Sequence, residues 1–303
     1  MAADAHVPTP TSTEPAPGQA VVDDLVRLLD LEPIEVNIFR GRSPQESLQR
    51  VFGGQVAGQA LVAAGRTVDP ERVVHSLHSY FIRPGDPAVP IVYTVDPARD
   101  GRSFSIRRVV AIQHGEPIFV LSASFQLAQG GIDHQSEMPD VPPPDELPTL
   151  EERYAGFPEV AAWYERLPRP FELRYVDDPP WVQRCHGPHG NAPHRVWMRA
   201  NGQLPDEPLI HVCALTFASD LTLVETMLVH HALAIGLDPV ATASLDHAMW
   251  FHRPFRADEW FLYDVTSPSA SGGRGLAIGK IYAMDGQHIV SVAQEGMIRV
   301  PSA

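Results

Sequence analysis

The chain has 303 residues, of which 44% are hydrophobic, so it is long enough for one or two domains with a sizeable core. It carries 23 Lys and Arg against 37 Asp and Glu, and this net charge of −14 argues against a nucleic-acid partner, which requires a basic surface. Its two cysteines, Cys185 and Cys213, make no disulfide framework, so a reducing cytoplasm fits. We expect no membrane span, because no apolar run approaches the required length.

Residues 1–20 are rich in Pro, Thr and Ala and lack the basic start and apolar middle of a signal peptide, so we expect a disordered tail. Residues 21–128 then form a first domain. Apolar residues at helical spacing predict an amphipathic helix at 21–31, and small apolar residues predict a buried helix at 54–65. Partly alternating apolar runs predict strands at 38–41, 73–82, 90–95, 103–113 and 118–127.

Residues 129–170 form a linker region, since the string MPDVPPPDELP excludes both a helix and a central strand. A surface helix is expected at 150–167, broken at Phe157-Pro158, and residues 181–193 are expected to be a loop.

A second domain, residues 171–303, contains a stretch from Thr216 to Ser244 that predicts a buried helix. The run from Thr222 to Gly236 is almost free of charge, and a helix that is apolar on nearly all faces belongs in a core. Ser219 or Asp220 suits the N-cap of this helix. Strands are predicted at 171–176, 195–200, 245–252, 260–266, 276–284 and 289–300.

Four segments of the first domain recur in the second in the same order. Phe52-Gly53-Gly54-Gln55-Val56 corresponds to Phe217-Ala218-Ser219-Asp220-Leu221, and Tyr80-Phe81-Ile82-Arg83-Pro84 corresponds to Trp250-Phe251-His252-Arg253-Pro254. The spacing drifts only from 165 to 172 residues, so we infer one duplicated unit. Each copy is predicted to be an antiparallel sheet curled around a central helix, an α+β fold.

The motifs VFGGQVAGQAL (51–61), HSLHSYFIRPGDP (75–87), DGRSFSIRRVVAIQ (100–113), ASDL (218–221), LDHAMWFHRPF (245–255) and QEGMIR (294–299) resemble the type II acyl-CoA thioesterases. The resemblance implies a double hotdog fold and hydrolysis of medium- to long-chain acyl-CoA without a cofactor. It also implies a homo-oligomer.

In that family a water is held between an Asp, a Ser or Thr and a Gln, and these positions fall on Asp220, Ser244 and Gln294. Thioester hydrolysis also needs donors for the oxyanion, and backbone N–H groups at a helix start are natural donors. Gly54, Gln55 and Leu221 are the candidates, with the choice of helix left open. Because Gln55 replaces Asp220 in the first copy, one active site per chain is expected.

Adjacent strand residues point to opposite faces, so Asp246 and His247 are interpreted as structural. Cys185, His186, His189 and His194 match no common zinc spacing, and no metal site is expected.

Three other classes of protein compete with this interpretation. No Gly-x-Ser-x-Gly elbow of an α/β-hydrolase is present. A hotdog enoyl-CoA hydratase or dehydratase would require a His near the helix start. A non-catalytic acyl-CoA-binding protein would lack the carboxylate of Asp220. The last two stay open as alternatives.

Overall fold

A computed structural model describes residues 18–44, 50–164, 169–187 and 193–301. Residues 1–17, which make up most of the expected tail, and His189 of the metal candidates lie outside these ranges.

The first half of the chain has the elements that its hydrophobic pattern predicts, with one additional short strand at 32–35 and ends that shift by a few residues. They are α1 (Gln19–Leu29), β1 (Glu32–Glu35), β2 (Ile38–Gly41), α2 (Gly53–Gly65), β3 (Arg72–Phe81), β4 (Ile91–Asp100), β5 (Phe104–Gln113) and β6 (Glu116–Leu127).

The linker and the second half carry the remaining elements. They are α3 (Leu150–Tyr154), α4 (Pro158–Tyr164), β7 (Phe171–Tyr175), α5 (Pro180–His186), β8 (His194–Ala200), α6 (Pro208–Ser219), α7 (Leu223–Val229), β9 (Ala241–Ser244), β10 (Asp246–Phe251), β11 (Phe261–Ser271), β12 (Arg274–Ala283) and β13 (His288–Arg299).

The strands form one antiparallel sheet that is nearly symmetric about its middle. Its order is β1-β2-β4-β5-β6-β3-β10-β13-β12-β11-β8-β7, with β9 paired to β13. The first six strands mirror the last six, and the two halves join where β3 pairs with β10, for example Ala248 with His78. The duplicated unit inferred from the sequence is therefore visible as a repeated strand order.

The core helices lie against the inner face of this sheet. Helix α2 is buried along almost its whole length and packs on β4, β5, β6 and α6, whereas α7 packs on β11 and β12. At the centre, the rings of Phe52 and Phe217 meet edge to face with centroids 4.9 Å apart. These two phenylalanines start the matching segments of the repeat, so the two copies meet at corresponding positions.

The prediction of one buried helix within Thr216–Ser244 was wrong. Two helices meet there: α6 ends at Ser219 with Asp220 as its C-cap, and α7 begins after Thr222. Neither Ser219 nor Asp220 is therefore an N-cap. Helix α7 ends at Val229 because the chain then turns through left-handed backbone at Ala232 (φ 54°) and Gly236 (φ 78°). Apolarity continues across both breaks, which is why composition alone does not reveal them.

Two further expectations from the sequence need correction. Residues 181–193 are not all loop, because α5 begins at Pro180, a residue favoured at the first helical position, and stops before Gly187 (φ 85°). An apolar run of spanning length does exist at Pro208–Val229, which is long and apolar enough to cross a membrane by length and composition alone. In the structure most of this run is buried, as expected for helices in a protein core.

Candidate active site

The break between α6 and α7 brings a carboxylate to the centre of the molecule. Asp220 follows the last residue of α6 with helical dihedral angles (φ −85°, ψ 0°), and two residues separate it from α7. Its side chain points to the sheet, where β9 and β13 pair with Ser244 opposite Gly296.

Asp220, Ser244 and Gln294 form a closed set of hydrogen bonds. Ser244 Oγ donates to Asp220 Oδ1 at 3.2 Å, and Gln294 Nε2 donates to the same oxygen at 3.0 Å and to Ser244 Oγ at 2.9 Å. Gln294 is fully buried. The three residues that the sequence named are thus within hydrogen-bond distance of one another, although they come from a helix end and two different strands.

The start of α2, from the other copy, lies against the same carboxylate. A Cβ on Gly53 would come within 2.6 Å of Asp220 Oδ2, so only glycine leaves room here. The backbone N–H of Gly54 is close enough to the carboxylate to lower the pKa of Asp220. The positive end of the α2 dipole and its unpaired N–H groups therefore face a site whose side chains belong to the second copy.

Burial raises the pKa of Asp220 above the ordinary range of an aspartate. The nearby His247, the hydrogen bonds from Gln294 and Ser244, and the Gly54 N–H lower that pKa in part but do not cancel the effect. A carboxylate with a raised pKa is a stronger base than one in water, and it can accept a proton from a bound molecule.

The other candidate donors have different surroundings. The Gln55 side chain points away from Asp220 and donates to Ser43 Oγ at 2.9 Å and to the Arg42 carbonyl at 3.2 Å. The Leu221 N–H donates to the Ala218 carbonyl at 3.1 Å. The N–H groups at the start of α2 are consequently better placed than that of Leu221 to meet a ligand.

One residue that sequence reasoning set aside belongs to this network. His247 is buried in β10, and its Nδ1 lies 2.5 Å from Gln294 Oε1 while its Nε2 lies 2.9 Å from Ser219 Oγ. Its neighbour Asp246 points to the opposite face and accepts from the Glu295 N–H, as the alternation predicts. The sequence did contain a signal for this role. His247 lies on the apolar, inward face of its strand, and a buried polar ring there requires hydrogen-bond partners.

Within the described ranges, no three or more His, Cys, Asp and Glu side chains group closely enough to hold a metal ion. Cys185 is exposed and Cys213 is buried, and both thiols are free.

Comparison with known proteins gives the family. Residues 167–297 match the sequence model for acyl-CoA thioesterases, and residues 42–126 match that of the acyl-CoA thioesterase N-terminal domain. Human acyl-coenzyme A thioesterase 8 is 42% identical over 287 residues, which cover 90% of this chain and 88% of the human protein. The chain belongs to the acyl-CoA thioesterase family. It is a hydrolase of acyl-CoA thioesters.

Other thioesterases agree in sequence and in structure. Acyl-CoA thioesterase 2 of Haemophilus influenzae is 40% identical over 285 residues, covering 92% of this chain and 98% of that one. The crystal structure of an acyl-CoA thioesterase II from Mycobacterium marinum is 48% identical, has a TM-score of 0.75, and covers 91% and 98% of the two chains.

A hot dog fold protein from Alicyclobacillus acidocaldarius superposes with a TM-score of 0.73 at 22% identity, covering 92% of this chain and 99% of that one. At 22% identity this similarity supports the fold and not the function. The α+β double hotdog fold that the family resemblance implies is confirmed.

Proposed function

We propose that this thioesterase hydrolyses medium- to long-chain acyl-CoA with a water molecule that Asp220 activates and that Ser244 and Gln294 orient. The observation that carries the proposal is the hydrogen-bonded set of these three side chains beside the start of α2. The chain-length range follows from the family resemblance.

The two oxygens of Asp220 have different roles in this proposal. Oδ1 already accepts from Ser244 and Gln294, whereas Oδ2 faces Gly53 at the start of α2. Oδ2 is therefore the oxygen that takes a proton from the water as the water oxygen attacks the thioester carbonyl carbon.

The Gln55 N–H and the positive end of the α2 dipole stabilise the negative charge that develops on the carbonyl oxygen, while the Gly54 N–H faces Asp220. When the tetrahedral intermediate collapses, the carbon–sulfur bond breaks and the proton held by Asp220 passes to the CoA thiolate. The products are the free acid and CoA, so atoms and charge balance.

The first test is thiol release from a panel of acyl-CoA substrates of increasing chain length, with Asp220→Ala beside the wild type. Because the variant has no base, kcat should fall by roughly 10²-fold or more. Gln55→Ala, at the corresponding position of the first copy, is the matched control. It should still release thiol, because Asp220 is intact. Wild-type turnover in Asp220→Ala would remove the site assignment and leave the fold and family unaffected.

The same assay separates the alternative classes. An enoyl-CoA hydratase would change the absorbance of the enoyl group without releasing thiol, and a binding protein would retain acyl-CoA without either change. We expect thiol release alone.

We also propose that the chain forms a homo-oligomer and acts in the cytoplasm. The sheet ends at β1 and β7, whose outer backbone groups are edges that can pair with another chain. Free thiols agree with a reducing compartment. Light scattering coupled to gel filtration tests the first point, since a mass of 33.3 kDa would contradict it. Cell fractionation tests the second.

A further inference from the structure

We propose that His247 is a positioning residue that fixes the orientation of the Gln294 amide, so that its NH₂ group and not its oxygen faces Asp220 and Ser244. This inference rests on the proposed function for its catalytic consequence, but its structural content can be tested separately.

The two ends of a glutamine amide are nearly the same in shape and opposite in hydrogen bonding. With the NH₂ end toward Asp220, Gln294 donates to Oδ1 and to Ser244 Oγ. After a flip, the amide oxygen would face an ionised carboxylate oxygen at about the same distance, and two acceptors would repel. The active arrangement therefore depends on what holds the other end of the amide.

That other end contacts His247. Gln294 Oε1 lies 2.5 Å from His247 Nδ1, and an oxygen can only accept, so Nδ1 must carry a proton. A bare Nδ1 would instead attract the NH₂ group and favour the flipped amide. The tautomer of His247 thus selects the orientation of Gln294.

Ser219 selects that tautomer. Its hydroxyl lies 2.9 Å from His247 Nε2 and 2.9 Å from the Thr216 carbonyl, and it has one proton to donate. Donation to Thr216 would require a proton on Nε2 as well as on Nδ1, which makes the ring a cation. Burial lowers the pKa of His247 and favours the neutral ring, although the nearby Asp220 opposes this. In the neutral ring with Nδ1–H, Ser219 donates to Nε2.

The first copy of the repeat provides an internal comparison. Leu77 and Ala123 pair directly across β3 and β6, at the positions that correspond to His247 and Gln294 in β10 and β13. Both are buried. An apolar pair therefore satisfies the packing of this fold, so folding by itself does not require the His247–Gln294 hydrogen bond. The polar pair occurs in the copy that also has Asp220.

The experiment compares His247→Leu, which reproduces the residue of the first copy, with His247→Asn, whose side-chain NH₂ attaches to the same Cγ position as Nδ1. We expect kcat to fall by about 10- to 100-fold in the leucine variant, which is the usual effect of misplacing a catalytic group. KM should change little, because His247 donates to Gln294 and not to the substrate. The asparagine variant should recover most of kcat. Leu121→Ala, a buried change in β6, should lower the melting temperature and leave kcat unchanged.

The ¹⁵N chemical shifts of the His247 ring give a readout that does not depend on activity. We expect the neutral tautomer with the proton on Nδ1, and Ser219→Ala should increase the population with the proton on Nε2. A wild-type ring with its proton on Nε2, or wild-type kcat in His247→Leu while Asp220→Ala is inactive, would overturn the proposal. Activity in Asp220→Ala with the expected tautomer would instead overturn the proposed function alone.

Discussion

At the scale of single residues, the central feature is Asp220, a carboxylate whose burial disfavours its ionised form. Asp220 is surrounded by Gln294, Ser244 and the start of α2, and burial raises its pKa in spite of these donors. A group whose pKa is raised on folding contributes stability at low pH, and this contribution is lost as the pH rises through the folded value. At a pH above the ordinary range of an aspartate, Asp220 therefore contributes less stability than it does at low pH.

Asp220→Asn should consequently be inactive and more stable than the wild type at pH 7 to 8, by about 1 kcal/mol, the usual scale for relieving strain at a functional site. The amide carries no charge, so the gain should disappear as the pH falls below the ordinary pKa of an aspartate. Thermal melts of both proteins at several pH values measure this difference. A variant less stable than the wild type at every pH would contradict it.

At the scale of elements, the site depends on how α2 begins and on how α7 is packed. Helix α2 can approach Asp220 only because Gly53 has no side chain. Helix α7 carries Glu225, a half-buried carboxylate for which the described part of the chain shows no hydrogen bond or ion pair, and burial raises its pKa to about 8.

Gly53→Ala should lower kcat by about 10²-fold, because its Cβ would meet Asp220 Oδ2 at 2.6 Å and the Phe81 ring at 2.9 Å, and one of them must move. Gly130→Ala is the control, since no atom lies within 4 Å of the added methyl group. Steady-state kinetics of the two variants test the close approach. Equal activity in both would show that Asp220 tolerates displacement.

Glu225→Gln should change how stability varies with pH. In the wild type, the contribution of Glu225 is largest below the ordinary pKa of a glutamate and is lost between that value and about 8. The variant has no group to ionise, so its stability should decline less over this interval. Chemical denaturation at pH 5, 7 and 9 measures the difference, and parallel declines in the two proteins would show that the carboxylate is solvated.

At the scale of the whole molecule, the two copies form one structure. Their sheets join at β3 and β10, and α2 packs on α6 across the centre. The candidate site combines side chains of the second copy with the helix start of the first, so both copies contribute to it.

Because the copies share a sheet and a core, the chain should unfold in one cooperative transition. Leu121→Ala in the first half and Ile281→Ala in the second should each lower the same melting temperature, since both side chains are buried and each loss costs about 2–5 kcal/mol. Calorimetry tests this, and two separate peaks that respond to one variant each would contradict it.

Much of this architecture could be predicted from the sequence, because local chemistry fixes it. Alternating apolar residues give the strands, turn residues such as His114-Gly115 and Asp285-Gly286 give the hairpins, and the repeated segments give the duplication. The motifs also pointed to Asp220, Ser244 and Gln294, and their catalytic roles stay predictions.

Tertiary structure decided what depends on contacts between distant segments. The break at Asp220 lies inside a continuous apolar run, so periodicity alone shows no boundary there, and the buried contacts of α6, α7 and β13 determine it. The sequence indicated that His247 would need hydrogen-bond partners but not which ones, because Ser219 and Gln294 lie 28 and 47 residues away. Hydrogen bonds between such segments exist only once the sheet has closed on its helices.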